Sequence, residues 1–405
     1  MWENSFVNPA LNPWDIKKLY LSVRLSLNAI MENLNSETKK PDDIRKLSSQ
    51  ITIKDLAVIL VICLLAGALV LMPKFVGFDP YANLYYAKNA GMIAFAALIA
   101  YNLTVRRKTD KRWLTALIGI FVISAVFINL LPGDSKNQSV VLACIHLPLM
   151  LWCFYGIVFT GFDIRNTGKR VSFIRHNGDM AILGALILLS GMLLAGLSIG
   201  LFSSIEIDIQ KFVMEYIAIW GVVAAPALTE FILHHYPRLT EKIAPVLASI
   251  FTPIVLITLV IYLIAIIFSG KDPYTDRDFL ILFNLMLLVV MALIVFSLSE
   301  TSEGRRRKIS EAVLLALSVV TLVVDIVALS AIFYRLSEYG ITPNRIAVLG
   351  SNLLILGNLI LITIDLFRVT FRNASFDRVN VTTAKYLPVY LAWTIIVVFG
   401  FPIIF

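Results

Sequence analysis

Eleven stretches of mostly apolar residues divide this chain, at approximately 55–72, 89–104, 113–132, 139–161, 179–203, 212–232, 243–268, 279–298, 311–333, 345–367 and 386–405. A bilayer's hydrocarbon core is about 30 Å thick and a helix rises about 1.5 Å per residue, so each stretch is near the length needed to cross it. No water reaches a backbone amide there, and only a helix satisfies every amide and carbonyl within a single segment. The chain is therefore expected to be all-α, a polytopic integral membrane bundle of about eleven transmembrane helices. The stretch at 89–104 is the weakest, being short and carrying Asn102.

Charge supports keeping it. Only 15% of the 405 residues are charged, and the basic ones gather between the apolar stretches. If the spans alternate, the loops beginning at 105, 162, 233, 299 and 368 share a side with the N-terminal segment, and together these hold 27 of the 35 Lys and Arg residues. Dropping any one span would scramble that asymmetry. Positive loops stay cytoplasmic, which places the N-terminus inside and, with an odd number of spans, the C-terminus outside. The net charge of +8 would suggest nucleic acid in a soluble protein, but here it reads as topology, and no nucleic-acid partner is expected. Cys63, Cys144 and Cys153 all lie within apolar stretches and are expected to be inert thiols. No short apolar run with a cleavage site precedes the first span, so that span itself is expected to direct insertion.

Residues 1–54 form a polar segment distinct from the transmembrane domain at 55–405. Asn12-Pro13 reads as a helix start, and Ile16, Leu19, Tyr20, Val23, Leu27, Ile30 and Met31 then repeat at helical spacing. An amphipathic helix over about 13–33 follows, lying either on an anionic lipid surface through Lys17, Lys18 and Arg24 or on the protein's own cytoplasmic face. Residues 35–50 read as a solvated linker.

The outer loops are short, the longest being about 73–88, and leave no room for a separate catalytic domain. There is no phosphate-binding Gly loop, no Cys-x-x-Cys and no nucleophile elbow, so the sequence names no catalytic residue, no cofactor and no metal. A metal site at Glu230, His234 and His235 has no supporting ligand spacing, and Glu230 is expected to pair locally with His234.

Ionisable groups within spans are costly and carry the functional candidates. Asp325 lies too deep in the ninth span to reach water, and Ser318 and Thr321 share its helical face, pointing together at a neighbouring helix or a wet cavity. The tenth span carries Arg345, Ser351, Asn352, Asn358 and Asp365 and should sit centrally; Asp365 is placed to meet Arg368. His146, Asn284 and Asn129 are available as partners for its buried asparagines, and His146 beside Pro148 could carry a proton. Glu215 is expected to pair with Lys211. Pro226 is expected to kink the sixth span, and Gly191, Ala195, Gly196 and Gly200 to pack the fifth tightly against a neighbour.

Between the ninth and tenth spans the chain reads Tyr334 through Arg345. Gly340 suits a left-handed turn, Thr342 a helix cap and Pro343 the first helical position. Turn chemistry does not require Arg335, Glu338 and Arg345 in so short a re-entry. They form either an ion-pair cluster fixing two helix ends or a cationic site for an anionic headgroup or substrate. Tyr339, Gly340, Thr342 and Arg345 make a Tyr-Gly-x-Thr-x-x-Arg box, and the stretch 311–370 resembles a family of bacterial multi-pass inner-membrane proteins classed as a domain of unknown function. The resemblance implies a polytopic bacterial inner-membrane protein and no particular substrate.

Three functions follow as expectations. The first is binding or moving a small or lipidic solute through a polar centre in the sixth, ninth and tenth spans. The second is a scaffold or sensor subunit with a protein partner or a second copy of the chain. The third is an intramembrane enzyme acting on lipid-linked substrates in a lateral cavity lined by Asp325, His146 or Arg345.

Overall fold

Helices lie over each of the apolar stretches in a computed structural model of the protein, which describes residues 52–81, 83–105, 110–203, 206–236, 243–269, 274, 277–297 and 305–405. The amphipathic helix and linker expected within 1–50 lie outside these, as does the Arg106–Lys108 cluster. In chain order the helices are α1 Ile53–Val76, α2 Tyr85–Val105, α3 Lys111–Leu130, α4 Gln138–Phe159, α5 Thr167–Ser203 and α6 Gln210–His235. Then come α7 Ile243–Ser269, α8 Arg277–Ser297, α9 Arg305–Tyr339, α10 Pro343–Arg372 and α11 Asp377–Ile404. No strand occurs among the described residues. Eight of these helices, all but α2, α7 and α8, are long and apolar enough over the described residues to cross a membrane.

Local sequence sets the helix ends. Asp110 caps α3 by accepting from the Arg112 amide, and Asn137 caps α4 by accepting from Ser139 and Val140. Thr342 does the same for α10, with Pro343 at its first position, while Gly340 at φ +76° lets the chain leave α9.

Several apolar clusters hold the bundle, two of them large. One joins α7 to α10 through Leu259, Phe283, Leu317, Val324, Leu359 and Ile362; the other joins α2, α4 and α11 through Met92, Leu147, Leu151 and Val398. Large apolar side chains also cover the outside: Met192 and Leu201 of α5 are each 70% exposed. Such a surface is stable only against lipid.

The small-residue stripe of α5 does not pack as expected. Space is open around Gly191, Gly196 and Gly200, and the close helix approaches occur elsewhere, at Gly67 on Trp220, Gly156 on Phe173 and Gly350 on Trp393. Spacing marks a smooth helix face but does not select the helix that meets it. In α6 the backbone leaves α-geometry at the π-helical segment Val213–Ala218, upstream of Pro226.

Candidate functional site

Three carboxylates are buried in the described part of the bundle, Glu230, Asp325 and Asp365, and their surroundings differ. Asp365 of α10 is satisfied: Thr382 donates to Oδ2 at 2.5 Å, and Arg368 to Oδ1 at 3.3 Å, with Arg378 at 3.8 Å. The expected Arg368 contact is one of three.

Glu230 does not pair first with His234. Asn102 of α2 donates to Oε1 at 2.9 Å, Tyr155 of α4 donates to Oε2 at 2.9 Å, and His176 Nε2 of α5 lies 2.6 Å from Oε2. The Tyr155 hydroxyl is also 3.1 Å from His176 Nε2. A buried carboxylate demands donors, and helix packing brings three that are 54 to 128 positions away in the chain. Sequence reading missed His176 and Tyr155: His176 stands before the fifth apolar stretch, between Arg175 and Asn177, where nothing local marks it as buried, and Tyr155 is one of several aromatic residues in the fourth. His235 turns away to the Phe231 carbonyl and, at 3.8 Å, to Asp55, and no three His, Cys, Asp or Glu side chains converge as metal ligands among the described residues.

Asp325 of α9 is fully buried, and neither carboxylate oxygen has a hydrogen-bond partner among the described residues. Ser318 and Thr321 are buried beside it, but their hydroxyls donate back to Leu315 and Leu317 of the same helix at 2.8 and 2.7 Å. The expected shared face is present, whereas no hydrogen bond from these three crosses to a neighbour, because a serine or threonine in a helix reaches its own preceding turn more easily. On α10, Asn358 donates to the Tyr390 hydroxyl of α11 at 2.9 Å, and among the described residues its Oδ1 and the Nδ2 of buried Asn352 have no partner. Asn129 is taken by Asn89 in two reciprocal amide bonds of 2.9 and 2.8 Å, and Asn284 leaves Oδ1 unpaired.

Beside Asn358 and Tyr390 a cavity of about 350 Å³ opens between α4, α5, α8, α10 and α11. Its walls are mainly apolar, with His146, Asn177, Ser351, Asn358, Thr383, Tyr390 and Thr394 among the polar points. His146 bonds to the Leu142 carbonyl of its own helix at 2.9 Å. Of the helices expected to form the polar centre, α10 lines this cavity, while α6 and α9 do not, and neither do Asp325 and Arg345. A second cavity, about 370 Å³, lies between α2, α4, α5 and α6 with Tyr155, Pro226 and Thr229 in its wall. Trp152 and Asn177 line both, joined by a 3.0 Å hydrogen bond that makes a partition between them.

At the α9–α10 turn, the Arg345 guanidinium donates to the Tyr339 and Gly340 carbonyls at 2.7 and 2.6 Å and lies over the Tyr339 ring at 5.5 Å. No ion pair joins Arg335, Glu338 and Arg345 among the described residues, so the ion-pair cluster is not formed. A helix C-terminus presents unpaired carbonyls and a negative dipole end, and these hold the cation instead. Lys169 in the first turn of α5 sits 3.1 Å from Asp163 in the loop after α4 and holds that carboxyl below the ordinary carboxylate range.

Apolar helices facing lipid around buried polar clusters define a multi-pass helical membrane protein. The chain belongs to the family described as a domain of unknown function, DUF4153, which matches residues 90–399, well beyond the stretch 311–370. Neither the curated proteins nor the solved structures compared with it give a match.

Proposed function

We propose that this is a bacterial inner-membrane protein of eleven spans, N-terminus inside and C-terminus outside, that binds or moves an apolar, lipidic solute. The observation that carries the reading is the cavity of about 350 Å³, a volume in the range of small-molecule sites. Its mainly apolar walls suit a hydrocarbon portion, and His146, Asn358 and Tyr390 supply a few oriented polar contacts for a head group. The helix ends support the topology: Lys74 at the end of α1 meets Glu215 at the start of α6, as alternating spans require. Asp325, one helix behind the Asn358–Tyr390 pair, is the proton or ion site that would accompany solute movement.

Mass spectrometry of molecules copurifying in mild detergent tests this. The wild type should carry an apolar ligand that the cavity-filling Ala292→Trp variant loses while keeping its elution profile. Identical bulk-membrane lipid in both would reject the proposal.

A further inference from the structure

The cluster around Glu230 stands at one end of the bundle, apart from the cavity assigned above. Asn102, Tyr155 and Glu230 lie within about a turn and a half of the ends of α2, α4 and α6. Glu230 is 5% exposed, and the His176 side chain is 17% exposed, so the pair is shielded yet close to the aqueous face. His176 stacks on Phe159 at 4.7 Å, which fixes the ring with Nε2 toward the carboxylate. The Tyr155 hydroxyl touches both partners, while its ring lines the second cavity.

We propose that the His176–Glu230 pair is a proton-binding site at the mouth of the second cavity, and that proton occupancy is communicated through Tyr155 and Asn177 to Trp152. One proton between imidazole and carboxylate makes a neutral-sum pair; losing it leaves a buried carboxylate facing a neutral ring, and gaining another neutralises the carboxylate and breaks the pair. Either change alters what Tyr155 Oη donates to. Asn177 follows His176 directly on α5 and accepts from Trp152 Nε1 at 3.0 Å, so a shift of His176 is passed to the partition between the two cavities. The other titratable groups near Glu230 are Tyr155 from α4, Tyr101 from α2 and His234 from α6, with His235 of α6 and Asp55 of α1 beyond them. Of these, His235 and Asp55 already face each other. The proton site does not depend on the lipidic-solute reading and survives its failure.

The experiment uses the full chain in lipid nanodiscs and follows tryptophan fluorescence from about pH 5 to pH 9, spanning the histidine range. Subtracting the Trp152→Phe variant isolates Trp152 from the other five tryptophans. The difference signal should show one transition, which Glu230→Gln abolishes and Tyr155→Phe displaces by about one pH unit through loss of a charge-assisted hydrogen bond. A flat wild-type signal overturns the proposal, as does a transition that persists in Glu230→Gln. Should that variant fail to fold, an unchanged midpoint in Tyr155→Phe overturns it equally.

Discussion

Lys74 of α1 reaches Glu215 of α6 at 2.6 Å across 141 positions of chain, in place of the expected partner Lys211 four residues from Glu215. The ammonium also lies 4.3 Å over the Tyr216 ring, so one cation serves two adjacent residues of the π-helical segment. Packing, with the Lys74 side chain only 10% exposed, selects the remote cation over the local one. Glu215→Gln and Lys74→Gln should each lower the thermal midpoint in detergent more than Lys211→Gln does. Equal effects at Lys74 and Lys211 would contradict the assignment.

Asp325 holds a carboxyl group with no hydrogen-bond partner among the described residues, and Ser318 and Thr321 on its own helix face donate back to that helix. Burying a polar group without a hydrogen bond costs about 1–3 kcal/mol in proteins, so Asp325→Leu should raise stability by that order. The same variant should lose any solute movement. Thermal unfolding read beside a growth or transport assay separates the two effects; a destabilised variant would mean that Asp325 is a structural group.

Two helical glycines should respond in opposite directions. A Cβ at Gly350 would meet the Trp393 ring, whose Nε1 is held by Ser351 Oγ at 3.1 Å and cannot retreat freely. Gly350→Ala should cost about 1–3 kcal/mol. A Cβ at Gly191 meets nothing, so Gly191→Ala should leave stability unchanged or raise it by up to about 1 kcal/mol. Chemical denaturation of the two variants in parallel checks the contrast.

The Asp163–Lys169 pair gives a pH signature. Its carboxyl is held below its unfolded value, so the contribution is present above the ordinary carboxylate range and is lost as pH falls through the folded value. Asp163→Asn should therefore unfold at a lower temperature than wild type at neutral pH, and the gap should close progressively as pH falls below the ordinary carboxylate range. A constant difference across pH would remove the pair from the account.

Orientation has its own test. In a background lacking Cys63, Cys144 and Cys153, single cysteines at Ser135 and at Ser302 should differ. An impermeant thiol reagent applied to intact cells should label the first and spare the second.

How much of this was legible in the chain follows from the range of each force. Apolar length and amide satisfaction act within one segment, so the eleven stretches and the Thr342 cap were read locally, while the caps at Asp110 and Asn137 were not picked out. Asp365 with Arg368 was legible for the same reason, at a spacing of three. His176 as the partner of Glu230 was not, nor was Lys74 as that of Glu215, because a buried charge is satisfied by whichever helix packing brings near.

Sequence by itself determined that this polypeptide is a bundle of lipid-facing helices, since hydrocarbon leaves the backbone no other way to bond. Only the tertiary structure decided which polar groups meet: Glu230 received three donors from three helices, Asp325 received none, and the cavity opened beside α10 and α11 without help from α6 or α9. Helix-to-helix contact depends on side-chain shape summed over whole faces, and no single spacing in the chain encodes it.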